Sequence, residues 1–411
     1  MHTIPPAPRV RAQLFMSLVI AAITAPAHAQ QASLNSVFEA VWQRHPQALA
    51  QPLRDEALIA QQRAARAWSP EPATVELGLK TDQWSRDQGQ REREWGVALP
   101  VWLPGERARA GALANAERAA HDHEIAAARL ALAAQVREAW WRLAQACIDE
   151  ELAAVSVGHA RQLATDVARR VKAGDLARAD QHQADAALAR TEAAREQAAA
   201  ARAEAQAALH GLTGRPLDFK QPDTRPEPLP AAEFSPSHAG LQALAARAQV
   251  ASRAAELATT RSRAHPELYL AASKERALAG DPWENRLVVG VRLPLGGAKQ
   301  DAAIAHAKAE AAHAEAWRAV QHDELNAAWA AARTRVEAMR RSLAAALRRA
   351  ELAGQTHSFF EKSFALGETD LPTRLRIEAE ARTAEREAAA ARIALNAAIS
   401  ALRQAAGLLP E

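Results

Sequence analysis

The chain has 411 residues, a formal net charge of +3 and a mean hydropathy of −0.28. Such a near balance of charge argues against a basic nucleic-acid surface, so nucleic acid is not an expected partner. Its one cysteine excludes an internal disulfide, and no apolar run of about 20 residues follows the first 29, which excludes a conventional spanning helix.

Residues 1–29 have the pattern of a secretory signal peptide. Arg9 and Arg11 form its positive end, residues 14–23 its apolar stretch and residues 27–29 the small-residue cleavage site. No cysteine directly follows the cut, so a lipid-anchored terminus is not expected. The sequence therefore predicts an exported chain.

Residues 30–214 form the first of two similar units. We predict a helix over 33–67, with a break at Pro46 and Pro52, and then a strand pair over 72–101 in which apolar and polar residues alternate. A helical hairpin over 106–214 follows. Its long arm, 106–173, has no proline and ends at Gly174, where a left-handed backbone is expected. The return arm is predicted over 175–213, with Asp175 as its cap, and its counterpart in the second unit over 368–406.

The same order returns after a proline-rich connector, 215–236. The second unit, 237–411, has a helix at about 238–263, a strand pair over 266–293 and a helical hairpin over 298–407. Gly367 and Gly407 have the same spacing as Gly174 and Gly214. Chance similarity of alanine-rich helices would not reproduce this spacing of glycines, so we predict an internal two-fold repeat.

The four strands have the length that crosses a bilayer at a tilt. Aromatic residues are few in the chain but gather in or beside these strands, as in the interfacial girdles of membrane barrels: Trp84, Trp95, Trp102, Tyr269 and Trp283. The apolar side of the strands is expected to face lipid through Val75, Leu77, Leu79, Val97, Val289 and Val291. A soluble sheet is the alternative interpretation.

Strands in lipid must pair every backbone group, so they persist only in a closed barrel. Four strands are too few to close one, and we therefore predict that several chains contribute four strands each. The long hairpins would then align around one axis as a tube. The predicted fold is mainly α with a small β part.

These features, with Leu99-Pro100 and Leu293-Pro294 ahead of the long helices and a glycine at each tip, resemble the TolC family of outer-membrane efflux proteins. Segments 99–107 and 293–299 are most similar to the outer-membrane components of heavy-metal (CzcC-like) RND exporters. The resemblance implies a homotrimer with a 12-stranded barrel in outer-membrane lipid and a helical tube in the periplasm. It further implies a periplasmic adaptor and an inner-membrane RND pump as partners. The chain itself would be a passive duct for substrate, with heavy-metal cations as the expected cargo.

Enzymatic chemistry is not indicated by any motif, and no cofactor or metal site is predicted. The run His121-Asp122-His123-Glu124 is interpreted as solvated helix surface, because neighbouring histidines in it point apart. His306, Glu310 and His313 share one helix face, but nothing completes a tetrahedral shell. Cys147 is expected to be a buried apolar residue.

By the same resemblance, the hairpin tips form the periplasmic mouth and the docking site of the adaptor. The expected residues are Gly174, Asp175, Asp180, Gly367, Glu368 and Asp370. Asp180 matches an acid that family members commonly carry six residues after the tip glycine, whereas the second copy has Thr373 there. Helix capping is the alternative role for these acids.

Two other functions remain open at this stage. One is a duct for organic solutes, drugs or type I protein secretion. The other, from a different class, is a periplasmic coiled-coil adaptor or scaffold without membrane strands. An adaptor would carry one hairpin between β-rich halves, whereas this chain has two hairpins and two amphipathic strand pairs.

Overall fold

The computed structural model describes residues 33–214, 221–231 and 233–411. The predicted signal peptide, 1–29, and part of the predicted connector lie outside these residues. These described residues form one compact unit.

The first half contains four helices and two strands. Two short helices, α1 (Leu34–Trp42) and α2 (Pro46–Ala65), precede β1 (Thr74–Thr81) and β2 (Arg91–Pro100). The long helix α3 (Glu106–Ala173) and its return arm α4 (Arg178–Thr213) complete the half.

The second half repeats this order with a single leading helix. Helix α5 (Ala239–Thr260) is followed by β3 (Glu267–Arg276) and β4 (Glu284–Arg292), and then by the long helix α6 (Ala298–Ala365) and its return arm α7 (Leu371–Ala405). Helices α3 and α6 both have 68 residues.

Two predicted details of the helices were wrong. The break expected at Pro46 and Pro52 lies before Pro46, which begins α2, while Pro52 lies inside that helix. Proline is tolerated at a first helical position because the missing N–H has no partner there. The return arms also begin later than predicted, at Arg178 and Leu371, because each tip glycine is followed by a turn.

The four strands form one antiparallel sheet in the order β1-β2-β3-β4. The two strand pairs are therefore joined edge to edge through β2 and β3. Within the described residues, no helix combines the length and apolar character needed to span a membrane.

The largest core cluster lies where α1 and the middle of α3 meet α4 and α7. Trp140 is its largest buried side chain, packed with Phe38, Val136, Leu209 and Ile393. Cys147 lies in this cluster as predicted, and burial raises the pKa of its thiol.

The described part of the connector, 221–231, crosses α3 and α7 beside this core. The Trp140 indole N–H donates to the Asp223 carbonyl, and the Asn396 side-chain amide donates to the Thr224 carbonyl (3.2 and 2.8 Å). Further along the connector, Glu227 is buried between the guanidinium groups of Arg137 and Arg403. The connector therefore holds two helices from different halves of the chain together.

The two long helices differ sharply in burial. Helix α3 contacts α1, α2, α4, α5 and α7 and has buried residues from Glu106 to Val167. Within α6, by contrast, only Val336 and Phe364 are buried. Large apolar side chains on α6, including Trp317, Leu352 and Phe359, are exposed in the single chain.

Candidate functional site

One face of the sheet is apolar from edge to edge. The strand register aligns Val75 with Val97, Leu270 and Val289 in a single row across all four strands. The rows on either side contribute further apolar residues: Leu77, Trp95 and Leu287 on one side, and Leu99, Leu268 and Val291 on the other. Nearly all of these side chains are exposed, so no described part of the chain covers this apolar face.

The opposite face carries small and charged residues. Gly96, Ala271 and Val288 align in one row. Lys80 pairs with Glu92 and Glu94, and Arg286 pairs with Glu275 and Glu284. The sheet is therefore amphipathic, as the alternating sequence predicted.

We expect Val289→Arg to impair membrane insertion far more than Val288→Arg. Val289 is 75% exposed on the apolar face, whereas Val288 is 46% exposed on the face that carries paired charges. An arginine at the lipid-facing midplane costs about 2–4 kcal/mol. The measurement is the amount of heat-resistant oligomer in the outer-membrane fraction of cells that make each variant. Equal losses would show that the two faces are wrongly assigned.

The aromatic residues do not form one girdle. Trp95 lies on the apolar face, but Tyr269 lies on the opposite face, where its ring covers Gly290. Trp84 is exposed in the β1–β2 loop, while Trp102 contacts His265 where the sheet meets the helices. Trp283 lies at the loop end of the sheet, beside β4. Tyr269 therefore lies in a strand, as predicted, but not on the apolar face that a lipid-facing girdle would need.

Glu106 joins the sheet to the helices. It is fully buried in the first turn of α3 and accepts hydrogen bonds from the Leu103 backbone N–H, from Arg261 after α5 and from His265 before β3. Burial by itself raises the pKa of Glu106, but the hydrogen bonds from His265, Arg261 and Leu103 outweigh it and hold the pKa below its usual value. His265 also faces Glu71, ahead of β1, at 3.4 Å.

The two hairpin tips share one backbone geometry. Gly174 has φ of 85° and Gly367 has φ of 80°, which confirms the predicted left-handed conformation. At each tip the next residue donates its N–H to a carbonyl five residues earlier: Asp175 to Arg170 and Glu368 to Ser363. This pattern closes each long helix at its C-terminal end.

Two of the four acids at the tips cap helices, and the other two are exposed. Asp180 accepts from the Ala177 backbone N–H and Asp370 accepts from that of Thr373, so both cap the return arms. Hydrogen bonds from the side chain and the backbone N–H of Thr373 lower the pKa of Asp370. The predicted capping by Asp175 was wrong, because Asp175 lies in the turn ahead of Ala177, the residue at which α4 is capped. Asp175 and Glu368 are exposed.

A cluster that the sequence analysis missed packs the two tips together. Phe364 of α6 is buried against Leu163 and Val167 of α3 and Leu371 of α7. The guanidinium groups of Arg170 and Arg374 lie 5.0 and 4.7 Å from the centre of its ring. An aromatic residue three positions before a tip glycine was the available signal, but its contacts with Leu163, Val167 and Arg170 come from the other hairpin.

The histidines are not gathered into a metal site. His306, Glu310 and His313 are exposed on α6, in agreement with the surface interpretation. The solvated interpretation was wrong for His121, whose side chain is only 12% exposed and lies 3.8 Å from Asp55 of α2. In the described parts of the chain, no group of three or more His, Cys, Asp or Glu side chains could hold a metal ion.

The fold is that of known outer-membrane channels. The outer-membrane protein VceC of Vibrio cholerae is 17% identical to this chain and superposes with a TM-score of 0.73. The match covers 92% of this chain and 97% of VceC. CusC, described as forming a transmembrane channel, is 14% identical, with 92% of each chain covered and a TM-score of 0.76. The open MtrE outer-membrane channel of Neisseria gonorrhoeae is 15% identical, with 99% and 98% covered and a TM-score of 0.68.

Comparison of the sequence alone finds no match. No protein-family model matches it, and neither does any curated protein. The likeness therefore lies in the fold.

Proposed function

We propose that this chain is the outer-membrane duct of a tripartite efflux system and a TolC-like family member. The observation that carries the proposal is the uncovered apolar face of the sheet, which stands at the end of two 68-residue helices in the fold of outer-membrane channels. A sheet with this face needs lipid or another chain against it. Lipid supplies that cover in an outer-membrane channel, whereas a periplasmic scaffold would have to bury the face against another chain.

The functional unit in this proposal is a homotrimer. Twelve strands would close a barrel in the outer membrane, which a single four-stranded sheet cannot do. The scarcity of buried residues on α6 supports an assembly, because its exposed Trp317, Leu352 and Phe359 would be covered by neighbouring chains in a periplasmic tube. The repeated order of helices and strands supports an internal two-fold repeat.

The proposed cargo is heavy-metal cations, delivered by an inner-membrane RND pump and a periplasmic adaptor. Support comes from segments 99–107 and 293–299, which resemble those of heavy-metal exporters. The chain acts as a passive duct, without catalysis or a resident cofactor.

Deleting the gene and measuring growth in zinc, cobalt and cadmium salts tests the cargo. We expect a several-fold fall in the tolerated metal concentration, restored by the wild-type gene and not by Val289→Arg. Sensitivity to dyes and detergents without sensitivity to metals would assign organic solutes instead. Loss of neither tolerance would contradict a role in efflux of either class.

The proposed docking site is the pair of hairpin tips, and Val at both Gly174 and Gly367 tests it. Both positions have open space for a side chain but a left-handed backbone, which costs a β-branched residue about 1–2 kcal/mol. We expect normal trimer with lost export and lost cross-linking to the adaptor. Gly354→Val is the control, because Gly354 also has open space and lies within α6 without a positive φ. Normal export by the double variant would contradict docking at the tips.

A further inference from the structure

The apolar face of the sheet ends in four cationic side chains at the loop end of β2 and β3. Arg93 lies directly opposite Lys274, and Arg91 directly opposite Arg276. Residues two apart on a strand share a face, so these two rows continue the face that carries Val97 and Leu270. Like charges placed directly opposite each other destabilise a sheet, so a second group is needed to balance them.

Trp283 lies among these cations at the start of β4. Its ring centre is 5.6 Å from the Arg93 guanidinium carbon, 5.6 Å from the Lys274 ammonium and 5.2 Å from the Arg276 guanidinium carbon. The indole ring attracts all three cations and so keeps these long side chains close together. Tryptophan is also the side chain most typical of a membrane interface.

The four cations have no carboxylate partner in the described parts of the chain. None of them forms an ion pair there, although Arg276 donates to the Gly89 carbonyl. The cations of the opposite face are neutralised in contrast, Lys80 by two glutamates and Arg286 by two others. Two nearby loop acids, Asp82 and Asp281, accept backbone N–H groups of their own loops. The positive charge is thus confined to one face.

We propose that Arg91, Arg93, Lys274 and Arg276 bind the phosphate groups of a phosphorylated glycolipid in the outer leaflet, with Trp283 among them. The inference rests on the proposed function, which places the helices in the periplasm and the strand loops outside. A soluble anion would use only the cations. A lipid also uses the apolar row next to them, Leu77, Trp95 and Leu287, against which its acyl chains would lie.

The two cationic rows are about 6.8 Å apart, since each residue of a strand advances about 3.4 Å. Adjacent strands are about 4.8 Å apart. A phosphate placed between the two strands would therefore meet cations from both of them. Each lysine or arginine near a charged membrane surface contributes about 1 kcal/mol, so removing two of them is expected to weaken binding about thirtyfold.

The test measures binding of purified lipid A to the full-length mature protein in lipid nanodiscs. Dephosphorylated lipid A is the matched ligand. The variant is Arg93→Gln with Lys274→Gln, and the control is Lys80→Gln with Arg286→Gln, which removes the same charge from the opposite face. We expect about thirtyfold weaker binding of lipid A to the variant and less than a twofold change in the control. We also expect weak binding of the dephosphorylated lipid to all three proteins.

Equal weakening in variant and control, or equal binding of both lipids, would overturn the inference. Where the first variant does not assemble, Arg91→Gln with Arg276→Gln provides the same comparison in the neighbouring row. Binding of inorganic phosphate as tightly as lipid A would assign the site to a soluble anion and overturn the lipid. If the wild-type protein enters nanodiscs but does not bind lipid A, the lipid site is refuted and the proposed function is not. A protein that does not enter a membrane refutes the proposed function as well.

Discussion

Replacing Glu227 with alanine is expected to lower the free energy of unfolding by about 3–5 kcal/mol, because it leaves two buried guanidinium groups without their shared counter-charge. Glu227 accepts from Arg137 at 3.0 and 2.8 Å and lies 3.2 Å from the Arg403 Nε atom. All three side chains are buried. The same two arginines donate to the Leu408 and Pro228 carbonyls, so the loss also loosens the connector and the last residues of the chain.

Thermal unfolding of the purified protein and hydrogen exchange of residues 221–231 measure this effect. Arg225→Ala is the matched control, because Arg225 forms an ion pair with Asp223 in the same segment but is 83% exposed. Exposed pairs contribute about 0–1 kcal/mol. Equal losses of stability in the two variants would show that the buried network does not hold the connector in place.

Phe364→Ala is expected to separate the two hairpin tips, at a cost of about 3–5 kcal/mol in local stability. The ring is buried between hairpins and contacts the guanidinium groups of Arg170 from one hairpin and Arg374 from the other. The Arg170 guanidinium also donates to the Phe364 carbonyl, which ties α3 to the end of α6. Removing the ring eliminates the apolar centre of this contact.

Hydrogen exchange at residues 163–176 and 360–375 measures the separation. We expect faster exchange in both segments, although the substitution lies in only one of them. Phe359→Ala on the same helix is the control, because Phe359 is 67% exposed and its loss leaves the tip cluster intact. Faster exchange confined to residues 360–375 would mean that Phe364 stabilises its own helix and not the pairing of the tips.

Features with local signals were predictable from the sequence. Helix α3 begins at Glu106 and ends at Ala173 as predicted, because glycines mark both ends. The sheet faces followed from alternation within each strand, and the pairing rows joined Val75 and Val289 on one face. A period of two fixes the face of every residue once the strand is recognised.

Contacts between distant residues gave no such signal. Arg137 resembles any other polar position of an alanine-rich helix, and its partners Glu227 and Gln404 come from the connector and α7. Phe364 and Arg170 meet only because the two hairpins lie side by side. Capping by Asp175 was wrongly predicted because the turn after Gly174 extends to Ala177, where α4 is capped. Tertiary packing decides each of these cases.

Electron cryomicroscopy of the full-length protein purified into lipid nanodiscs tests the central claim most directly. The proposal predicts three chains around one axis, with twelve strands closed in the lipid and Val75, Leu77, Val289 and Val291 facing the acyl chains. It also predicts α6 packed against neighbouring chains below the membrane. A single chain, or an assembly whose apolar sheet faces pack against protein outside the lipid, would contradict the proposal that this chain is an outer-membrane duct.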